Sequence, residues 1–371
     1  MTFKVPKYNY TAQFPALHDE LLPAIENLVT AGSYVRGSQV TDFECRLAGF
    51  LGVKRVVGVN SGTDALILAL KALDIGPGDE VITVANTWHS TALAIVRVGA
   101  KPVLVDCEEE SYLIDLDAAG NAITSATKAV IVVHLYGQCV DMDSALALCE
   151  GNGLHLIEDC AQAIGARWAG NRVGSLGNVG CWSFAPAKNL SAAGDAGAVS
   201  TNDKELAEKV SLLGNFGQQR QNDHVLLGYN SRLDSIQALI LDHKLRHVDT
   251  WNAARVRIAQ VYRSALRHLP VRFQSGARPG GHVYHLFQIR VAAAHRDLLL
   301  EYLISQGIDA VVRYPVPLHM QRAFRYLGIH PGSFPVAEAL SRETLCLPIR
   351  PDLSEDEIGY VTQAVSGFFR A

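Results

Sequence analysis

The sequence predicts an α/β fold: a large domain with a mostly parallel central sheet flanked by helices, plus a smaller C-terminal α+β domain. Short apolar runs recur between positions 55 and 201, and segments that can form helices separate them. This alternation is typical of parallel sheets covered by helices. The runs are rich in β-branched residues, as buried parallel strands are. Beyond position 270 the pattern changes to mixed strand-like and helix-like segments.

The first 54 residues predict two helices joined by a loop. Apolar residues recur at three- and four-residue spacing in His18–Leu28 and in Val40–Leu51, which is the period of an amphipathic helix. The segment Gly32–Gly37 between them predicts a loop. The chain therefore begins with two helices ahead of the sheet.

The strands of the predicted sheet follow in order along the chain. They are Val56–Val59, Glu80–Ala85, Pro102–Val105, Ala129–Val133, Leu154–Ile157, Gly180–Phe184 and Ala198–Thr201. Helices are predicted at Ala65–Leu73 and Ser90–Val98, each after a polar loop that follows a strand. Ligands of such sheets bind beyond the carboxyl ends of the strands, so the site is expected in these loops.

The large domain is predicted to span residues 1–250 and the small domain residues 251–371. A long helical stretch, Ser235–Leu269, would join them. Within the small domain, His282–Val291 alternates like a strand and Arg296–Gln306 has a helical pattern.

The composition indicates a globular protein with a large core. Hydrophobic residues make up 49% and charged residues 19% of the 371 positions, so disorder is not expected. The formal net charge of −4 argues against a nucleic-acid-binding protein, which would present a basic face. Seven cysteines without a CxxC pair indicate reduced thiols in a cytoplasmic protein. We expect no membrane span, no signal peptide and no metal site, because the motifs for these are missing.

Two polar residues follow neighbouring strands and are expected to meet at the edge of the sheet. Asp159 comes shortly after Leu154–Ile157, and Lys188 follows Gly180–Phe184. Schiff-base chemistry requires a partly desolvated lysine near a cationic ring that a carboxylate holds. Taken singly, each residue has an ordinary explanation, because an aspartate after a strand often caps a helix and most lysines are solvated. Only the joint pattern favours the catalytic interpretation.

Two segments have the small residues that phosphate binding needs. Asn60–Asp64 lies between a strand and a helix, where backbone N–H groups can approach an anion. Ser61 or Thr63 could equally be an ordinary helix cap. The glycines from Gly174 to Gly180 lack the G-x-G-x-x-G spacing and precede a strand instead of following one. A dinucleotide-binding loop is therefore rejected.

A series of segments occurs in a characteristic order along the chain. They are NSGTDALILAL, PGDEVITVANTWHSTALA, GAKPVLVD, VHLYGQCVDMD, IEDCAQAIGA, WSFAPAKNLSAAGDAGAVST and GYNSRLDSIQA, with a weaker match at RYPVPLHMQ. The series resembles the sugar-nucleotide aminotransferases of the DegT/DnrJ/StrS type, which are pyridoxal-phosphate (PLP) enzymes of the aspartate-aminotransferase fold, fold type I. The ordered series is far more specific than any single piece of it.

The resemblance implies a PLP site and assigns its residues. Lys188 would form the Schiff base with the cofactor, Asp159 would hold the pyridine nitrogen protonated, and Gln162, on a following helix, would reach the 3-oxygen of the ring. The further cofactor contacts that it implies are Gly62, Thr63, Ser183 and Asn230 for the phosphate and Trp88 for the face of the ring. Asn230 would come from the partner of a homodimer. The substrate contacts are His89, Arg232, Tyr314 and His319, although His89 could also merely cap the helix that follows.

The implied reaction moves an amino group from glutamate to a nucleotide-linked keto-sugar, in two half-reactions with ping-pong kinetics. The run KNLSAAGDAGAV is similar to the form found in enzymes that aminate a C-3 keto group, which favours a 3-keto-6-deoxyhexose on dTDP. A 4-keto-sugar nucleotide, a cyclitol, and a fold-type-I enzyme acting on free amino acids stay open as alternatives. A regulatory protein without catalysis is disfavoured, because a binding protein has no need of the Schiff-base lysine.

Overall fold

The computed structural model describes residues 3–12 and 17–370. The α-helices are α1 (His18–Ala31), α2 (Ser38–Leu51), α3 (Gly62–Ala72), α4 (His89–Arg97), α5 (Leu116–Asn121), α6 (Met142–Asn152), α7 (Lys204–Gly214), α8 (Ser235–Leu245), α9 (Val248–Leu266), α10 (Ala293–Ser305), α11 (Pro335–Glu343) and α12 (Glu355–Phe368). The strands are β1 (Arg55–Val59), β2 (Glu80–Val84), β3 (Lys101–Val105), β4 (Thr127–Val133), β5 (His155–Asp159), β6 (Arg167–Trp168), β7 (Asn171–Arg172), β8 (Val179–Ser183), β9 (Gly197–Thr201), β10 (Gln218–Arg220), β11 (Asp223–His224), β12 (Arg272–Phe273), β13 (Phe287–Arg290) and β14 (Thr344–Leu347). Short 3₁₀ helices occupy Leu135–Gly137, Leu318–Met320 and Arg322–Leu327.

The central sheet has seven strands in the order β1-β9-β8-β5-β4-β2-β3. Only β9 runs antiparallel to its neighbours, and the other strands are parallel to one another. Asp159, the last residue of β5, pairs with Val133 of β4 and Cys181 of β8. This register places its side chain at the carboxyl edge in the middle of the sheet. The predicted α/β class with a mostly parallel sheet is confirmed.

The seven predicted strands of this sheet are all present, and their ends differ from the prediction by at most two residues. Their side chains are mostly buried on both faces, which explains why apolar runs locate them. Helix α3 begins at Gly62, earlier than predicted. Ser61 is its cap, and its Oγ accepts a hydrogen bond from the N–H of Asp64 at 3.2 Å. The cap therefore fixes the start of the helix.

The predicted helical stretch Ser235–Leu269 is two helices, α8 and α9, with a break at residues 246–247. The predicted domain boundary at 250/251 lies inside α9, which continues into the C-terminal part of the chain. That part has an antiparallel sheet, β12-β13-β14, and a hydrophobic core to which α9, α10 and α12 contribute. The two-domain division itself stays a prediction.

The predicted strand His282–Val291 is wrong in its first half, because only Phe287–Arg290 is a strand. His282 and Tyr284 form a local turn, in which the N–H of Tyr284 donates to Nδ1 of His282 at 3.1 Å. The two rings stack with their centroids 3.8 Å apart. The alternation of polar and apolar residues in this half therefore does not come from the two faces of a β-strand. None of the helices in the described ranges is long and apolar enough to cross a membrane.

Candidate active site

A cavity of about 270 Å³ opens at the carboxyl edge of the central sheet. Loops after β1, β2, β5 and β8 line it, together with a loop from the C-terminal part of the chain. The predicted site residues that line it are Gly62, Thr63, Trp88, Asp159, Gln162, Ser183, Lys188 and Tyr314. The fold thus collects into one cavity residues that are up to 252 positions apart in the sequence (314 − 62).

Asp159 is a buried carboxylate, and no cationic side chain in the described part of the chain forms a hydrogen bond with it. Its Oδ2 accepts a hydrogen bond from Thr91 Oγ1 at 2.9 Å, and its Oδ1 accepts one from the N–H of Ala161 at 3.2 Å. Burial raises the pKa of Asp159, and these bonds and the charge of Lys188 oppose the rise only in part. A buried carboxylate of this kind is stabilised by a cation. A protonated pyridine nitrogen supplies that cation, so the site fits the ring of PLP.

Lys188 lies on the loop between β8 and β9, half-buried and facing the cavity. Burial lowers the pKa of Lys188 to about 8; the charge of Asp159 opposes this shift, and that of Arg313 adds to it. A substantial part of the amine is therefore unprotonated near neutral pH. Only this form attacks an aldehyde, so the environment activates Lys188 for Schiff-base formation.

Gln162 lies on a turn and not on the predicted helix. The N–H of Ala163 bonds to the carbonyl of Cys160, and that of Ala166 to the carbonyl of Ala163, so the chain closes successive tight turns after β5. The amide of Gln162 is held at both ends. Its Oε1 accepts from the N–H of Tyr136, and its Nε2 donates to the hydroxyl of Tyr314, both at 2.6 Å.

The N-terminus of α3 forms the other end of the cavity. Gly62 and Thr63 begin the helix, and Ser183 faces them across the cavity edge. A Cβ atom on Gly62 would lie 2.5 Å from Cβ of Ser183, so only glycine fits at this position. Thr63 Oγ1 donates to Ser90 Oγ at 2.8 Å. Exposed N–H groups at a helix N-terminus, with hydroxyls beside them, bind phosphate well.

Two residues at the site were not identified from the sequence: Arg313, which lines the cavity, and Thr91, which is fully buried outside the lining and contacts Asp159. Thr91 contacts Asp159 from helix α4, and Arg313 places its guanidinium carbon 5.5 Å from the ring centroid of Trp88. The ring of Trp88 is 52% exposed and borders the cavity, as expected for a residue that stacks on a cofactor. A threonine on the helix after a neighbouring strand could have been considered as a donor to the carboxylate. Nothing in the sequence marks Arg313 apart from its position beside Tyr314.

His89 and His319 lie outside the cavity lining. The imidazole of His89 packs on Phe324, with the ring centroids 5.1 Å apart. His319 is buried, its Nε2 lies 3.0 Å from a carboxylate oxygen of Glu338, and its ring meets the edge of Phe334. Both arrangements are structural contacts within one chain. The predicted roles of the two histidines in substrate binding stay predictions.

Asn230 and Arg232 also lie outside this cavity. Asn230 is exposed and its backbone pairs with Asn215. Arg232 borders a second cavity of about 180 Å³, and its guanidinium carbon lies 5.3 Å from the ring centroid of Phe216. Their predicted contacts with cofactor and substrate would require a second copy of the chain, and they stay predictions.

His134, Glu158 and Cys160 lie close enough together to resemble metal ligands. The carboxylate of Glu158, however, is saturated with hydrogen bonds. It bonds to Nε2 of His134 at 3.1 Å and accepts from the N–H groups of Gly174 and Gly177 at 2.7 Å. Burial opposes its ionisation, but these bonds keep the pKa of Glu158 below its ordinary value. The cluster therefore fastens the loop after β7 to the sheet, directly behind Asp159.

Comparison with known proteins identifies the family of the chain. The model of the DegT/DnrJ/EryC1/StrS aminotransferase family matches residues 15–366. The UDP-N-acetyl-3-dehydro-alpha-D-glucosamine 3-aminotransferase of Acidithiobacillus ferrooxidans is 43% identical over 361 residues, 97% of each chain. The dTDP-3-amino-3,4,6-trideoxy-alpha-D-glucose transaminase of Streptomyces venezuelae is 41% identical over 365 residues, 98% of this chain and 96% of the relative. The crystal structure of S. venezuelae DesV in complex with a ketimine intermediate is 40% identical, with a TM-score of 0.97 over 100% of both chains.

Other matching structures were crystallised with pyridoxal phosphate or pyridoxamine phosphate. The mostly parallel sheet, with Lys188 and Asp159 in one cavity at its carboxyl edge, defines a PLP-dependent enzyme of fold type I. The chain belongs to the DegT/DnrJ/EryC1/StrS aminotransferase family, and it is a PLP-dependent sugar aminotransferase. The predicted family, fold class, enzyme class and cofactor are confirmed.

Proposed function

We propose that this enzyme transfers the amino group of glutamate to the keto group of a nucleotide-linked sugar, with a 3-keto-6-deoxyhexose on dTDP as the favoured acceptor. The observation that carries the proposal is the pair of Lys188 and Asp159 in one cavity, where each shifts the pKa of the other. The acceptor class is supported by relatives named for 3-amino products on dTDP and UDP. The preference for a C-3 keto group also rests on the similarity of residues 188–199 to C-3-aminating enzymes.

The residues of the cavity have distinct tasks in this reaction. When bound, PLP supplies an electron sink for the carbon that gains or loses the amino group. Asp159 would hold the ring nitrogen and its proton, and the N-terminus of α3 with Ser183 would hold the phosphate. In the first half-reaction, Nζ of Lys188 would take the proton from the α-carbon of the donor and pass it to the cofactor. In the second half-reaction it would move a proton in the opposite direction, from the cofactor to the sugar carbon that gains the amino group. Its lowered pKa suits both directions of this transfer.

An exposed apolar segment supports the proposed homodimer. The exposed apolar side chains are Phe216, before the polar β10–β11 hairpin, and Val225, Leu226, Leu227 and Tyr229 after it; Leu227 is 99% exposed. Such a segment, directly before Asn230, is better explained by burial against a second copy than by contact with water. The second copy would then supply Asn230 to the phosphate end of the cavity, as the family resemblance implies.

A mixing experiment tests the shared site. We expect dimers of Lys188→Ala to have no activity and dimers of Asn230→Ala to have reduced activity. A hybrid dimer of the two variants has one site with both changes and one site with neither, so mixing should restore activity toward half of the wild-type value. If sites are not shared, every site in the hybrid keeps one change and mixing restores nothing. Different affinity tags on the two variants allow the hybrids to be isolated by two successive affinity steps before the assay.

The acceptor is tested with a panel of dTDP-, UDP- and GDP-linked 3-keto- and 4-keto-sugars, with product mass as the readout. We expect one 2-oxoglutarate released for each amino-sugar formed, with the dTDP-linked 3-keto-sugar turned over fastest. Lys188→Ala should keep its fold but lose covalent attachment of the cofactor and all turnover. Faster reaction with a UDP-linked or 4-keto acceptor would overturn the favoured substrate. The absence of any half-reaction between holoenzyme and an amino donor would overturn the proposed reaction itself.

A further inference from the structure

Arg313 is a cationic residue of the cavity without an assigned role in the proposed reaction. It lines the cavity beside Trp88 and Tyr314. Its Nε is buried and has no hydrogen-bond partner. Among the described residues, 3–12 and 17–370, no carboxylate forms a salt bridge with its guanidinium. Arg313 as a whole is half-buried, and Asp195, which also lines the cavity, is exposed. A partly desolvated guanidinium without a counter-ion in contact favours binding of an anion.

The loop that carries Arg313 is fixed on both sides. The N–H of Val311 donates to the carbonyl of Cys346 at 3.1 Å, which ties the loop to β14. The N–H of Leu318 donates to the carbonyl of Ala85 at 2.9 Å, which ties it to the end of β2. Between these points, the hydroxyl of Tyr314 accepts the hydrogen bond from Gln162. Arg313 is therefore placed by the fold and needs little further ordering to bind a ligand.

The charges around Arg313 point to the end of the cavity where the chemistry occurs. Its guanidinium helps to lower the pKa of Lys188, which shows that the two cations share one electrostatic environment. The aromatic groups near it are Trp88, Tyr314 and, from the N-terminal segment, Tyr8 and Tyr10. The proposed phosphate contacts belong to the N-terminus of α3, so a second anion is expected near the reacting carbon.

The two substrates differ in where they carry negative charge. In an amino acid, the α-carboxylate is bonded directly to the carbon that bears the nitrogen. In a nucleotide-linked sugar, the diphosphate is attached at C-1, so the sugar ring separates it from a C-3 or C-4 keto group. A cation close to the amine of Lys188 is therefore better placed for the carboxylate than for the diphosphate. The planar guanidinium also matches a carboxylate in a paired hydrogen-bond geometry that lysine cannot form.

We propose that Arg313 binds the α-carboxylate of the amino donor in the first half-reaction and thereby selects α-amino acids as donors. This inference rests on the proposed function, because it assigns a residue to one of its two substrates. Arg313 then has little role in the second half-reaction, in which the acceptor carries no carboxylate on the reacting carbon. The two half-reactions should therefore respond differently to a change at this position.

The test measures each half-reaction separately in Arg313→Ala holoenzyme. We expect the second-order rate constant with glutamate to fall about tenfold or more, because one charged hydrogen-bonded pair is lost. The loss should be similar with alanine, which has an α-carboxylate but no side-chain carboxylate. The half-reaction of the pyridoxamine-phosphate form with the keto-sugar should change less than about twofold. Arg313→Lys should restore part of the donor affinity, since it keeps the charge but not the planar geometry.

A binding measurement separates affinity from turnover. α-Methylglutamate has no α-hydrogen and cannot complete the transfer, so its dissociation constant can be read from the absorbance of the bound cofactor. We expect this constant to rise about tenfold or more in Arg313→Ala. Arg322→Ala is the matched control, because Arg322 is exposed on the neighbouring 3₁₀ helix and lies outside the cavity lining.

Three outcomes would overturn the inference while leaving the proposed function intact. One is a loss confined to the keto-sugar half-reaction, which would assign Arg313 to the diphosphate. Another is a loss with glutamate but not with alanine, which would assign it to the side-chain carboxylate. The third is unchanged donor affinity in both measurements. Failure of the proposed function is distinguished from all three, because the wild-type holoenzyme would then accept an amino group from no donor.

Discussion

The amine of Lys188 in the apoenzyme is expected to lose its proton at a much lower pH than an ordinary lysine. Burial lowers the pKa of Lys188 from 10.5 to about 8, with Asp159 opposing and Arg313 adding to the shift. At pH 7.5, about a quarter of the amine is then unprotonated, against about one part in a thousand for a pKa of 10.5. Since the free amine is the nucleophile, its reactivity at this pH should be roughly 200-fold higher than without the shift.

Competitive labelling measures this pKa directly. Apoenzyme is treated with trace acetic anhydride from pH 6 to 11, and mass spectrometry follows the Lys188 peptide. The labelling midpoint should lie near 8. In Asp159→Asn the midpoint should fall, because the carboxylate that favours the charged amine is lost. In Arg313→Gln it should rise, because the repelling guanidinium is lost. A wild-type midpoint near 10, or shifts of both variants in one direction, would refute the electrostatic explanation.

The same shift has a consequence for stability. Between pH 8 and 10.5 the unfolded chain binds more protons at Lys188 than the folded apoenzyme does. The contribution of this residue to the free energy of unfolding should therefore rise with pH across that window and stay constant below it. Denaturation of wild-type and Lys188→Met apoenzyme at several pH values isolates the contribution, because the variant lacks the titrating amine.

The remaining predictions concern the support of the site. Glu158→Gln replaces one acceptor oxygen by a donor, so two of the four hydrogen bonds of the carboxylate are lost. The free energy of unfolding should therefore fall by about 3 kcal/mol or more. Glu150→Gln, at an exposed position, is the control, and equal stability of both variants would contradict this explanation. Gly62→Ala should weaken cofactor binding about tenfold or more, because its Cβ would contact Ser183 at 2.5 Å; unchanged affinity by absorbance titration would show that the two segments can separate. Thr91→Val should also weaken cofactor binding, by about fivefold to tenfold, because it removes one hydrogen bond to the carboxylate at the end of β5; unchanged affinity in the same titration would show that this bond does not orient the carboxylate.

The central sheet could be predicted from the sequence because its strands are buried on both faces. Apolar runs then mark each strand, and the polar residues that follow mark the carboxyl edge, where Asp159 and Lys188 are found. The turn that carries Gln162 could not be predicted in this way. Its local sequence suits a helix, and the hydrogen bonds from Tyr136 and to Tyr314 that hold its side chain come from distant parts of the chain.

Arg313 and Thr91 were missed for the same physical reason. Thr91 is 68 positions from the carboxylate that it contacts. The loop of Arg313 is held at the cavity by contacts with distant residues, among them backbone hydrogen bonds to Ala85 and Cys346 and the bond from Gln162 to Tyr314. Local periodicity reports which face of a segment is buried. It carries no information on which loop of the C-terminal part meets which strand end, so contacts between the two parts of the chain require the folded structure.

Several charged or polar groups of the cavity have no charged partner within the protein, and their types correspond to the charged groups of the proposed ligands. Within the described residues 3–12 and 17–370, Asp159 accepts hydrogen bonds from neutral donors alone, and Arg313 forms no salt bridge. The N-terminus of α3 presents N–H groups near Ser183, and Asp195, the other carboxylate of the lining, is exposed. Leaving these groups without charged partners is costly, so the site favours ligands that supply a cation, a phosphate and a carboxylate. PLP supplies the first two, and only the amino donor carries a carboxylate at its reacting carbon. In the proposed assignment of Arg313, the selectivity of the first half-reaction follows from the charge that the cofactor leaves unpaired.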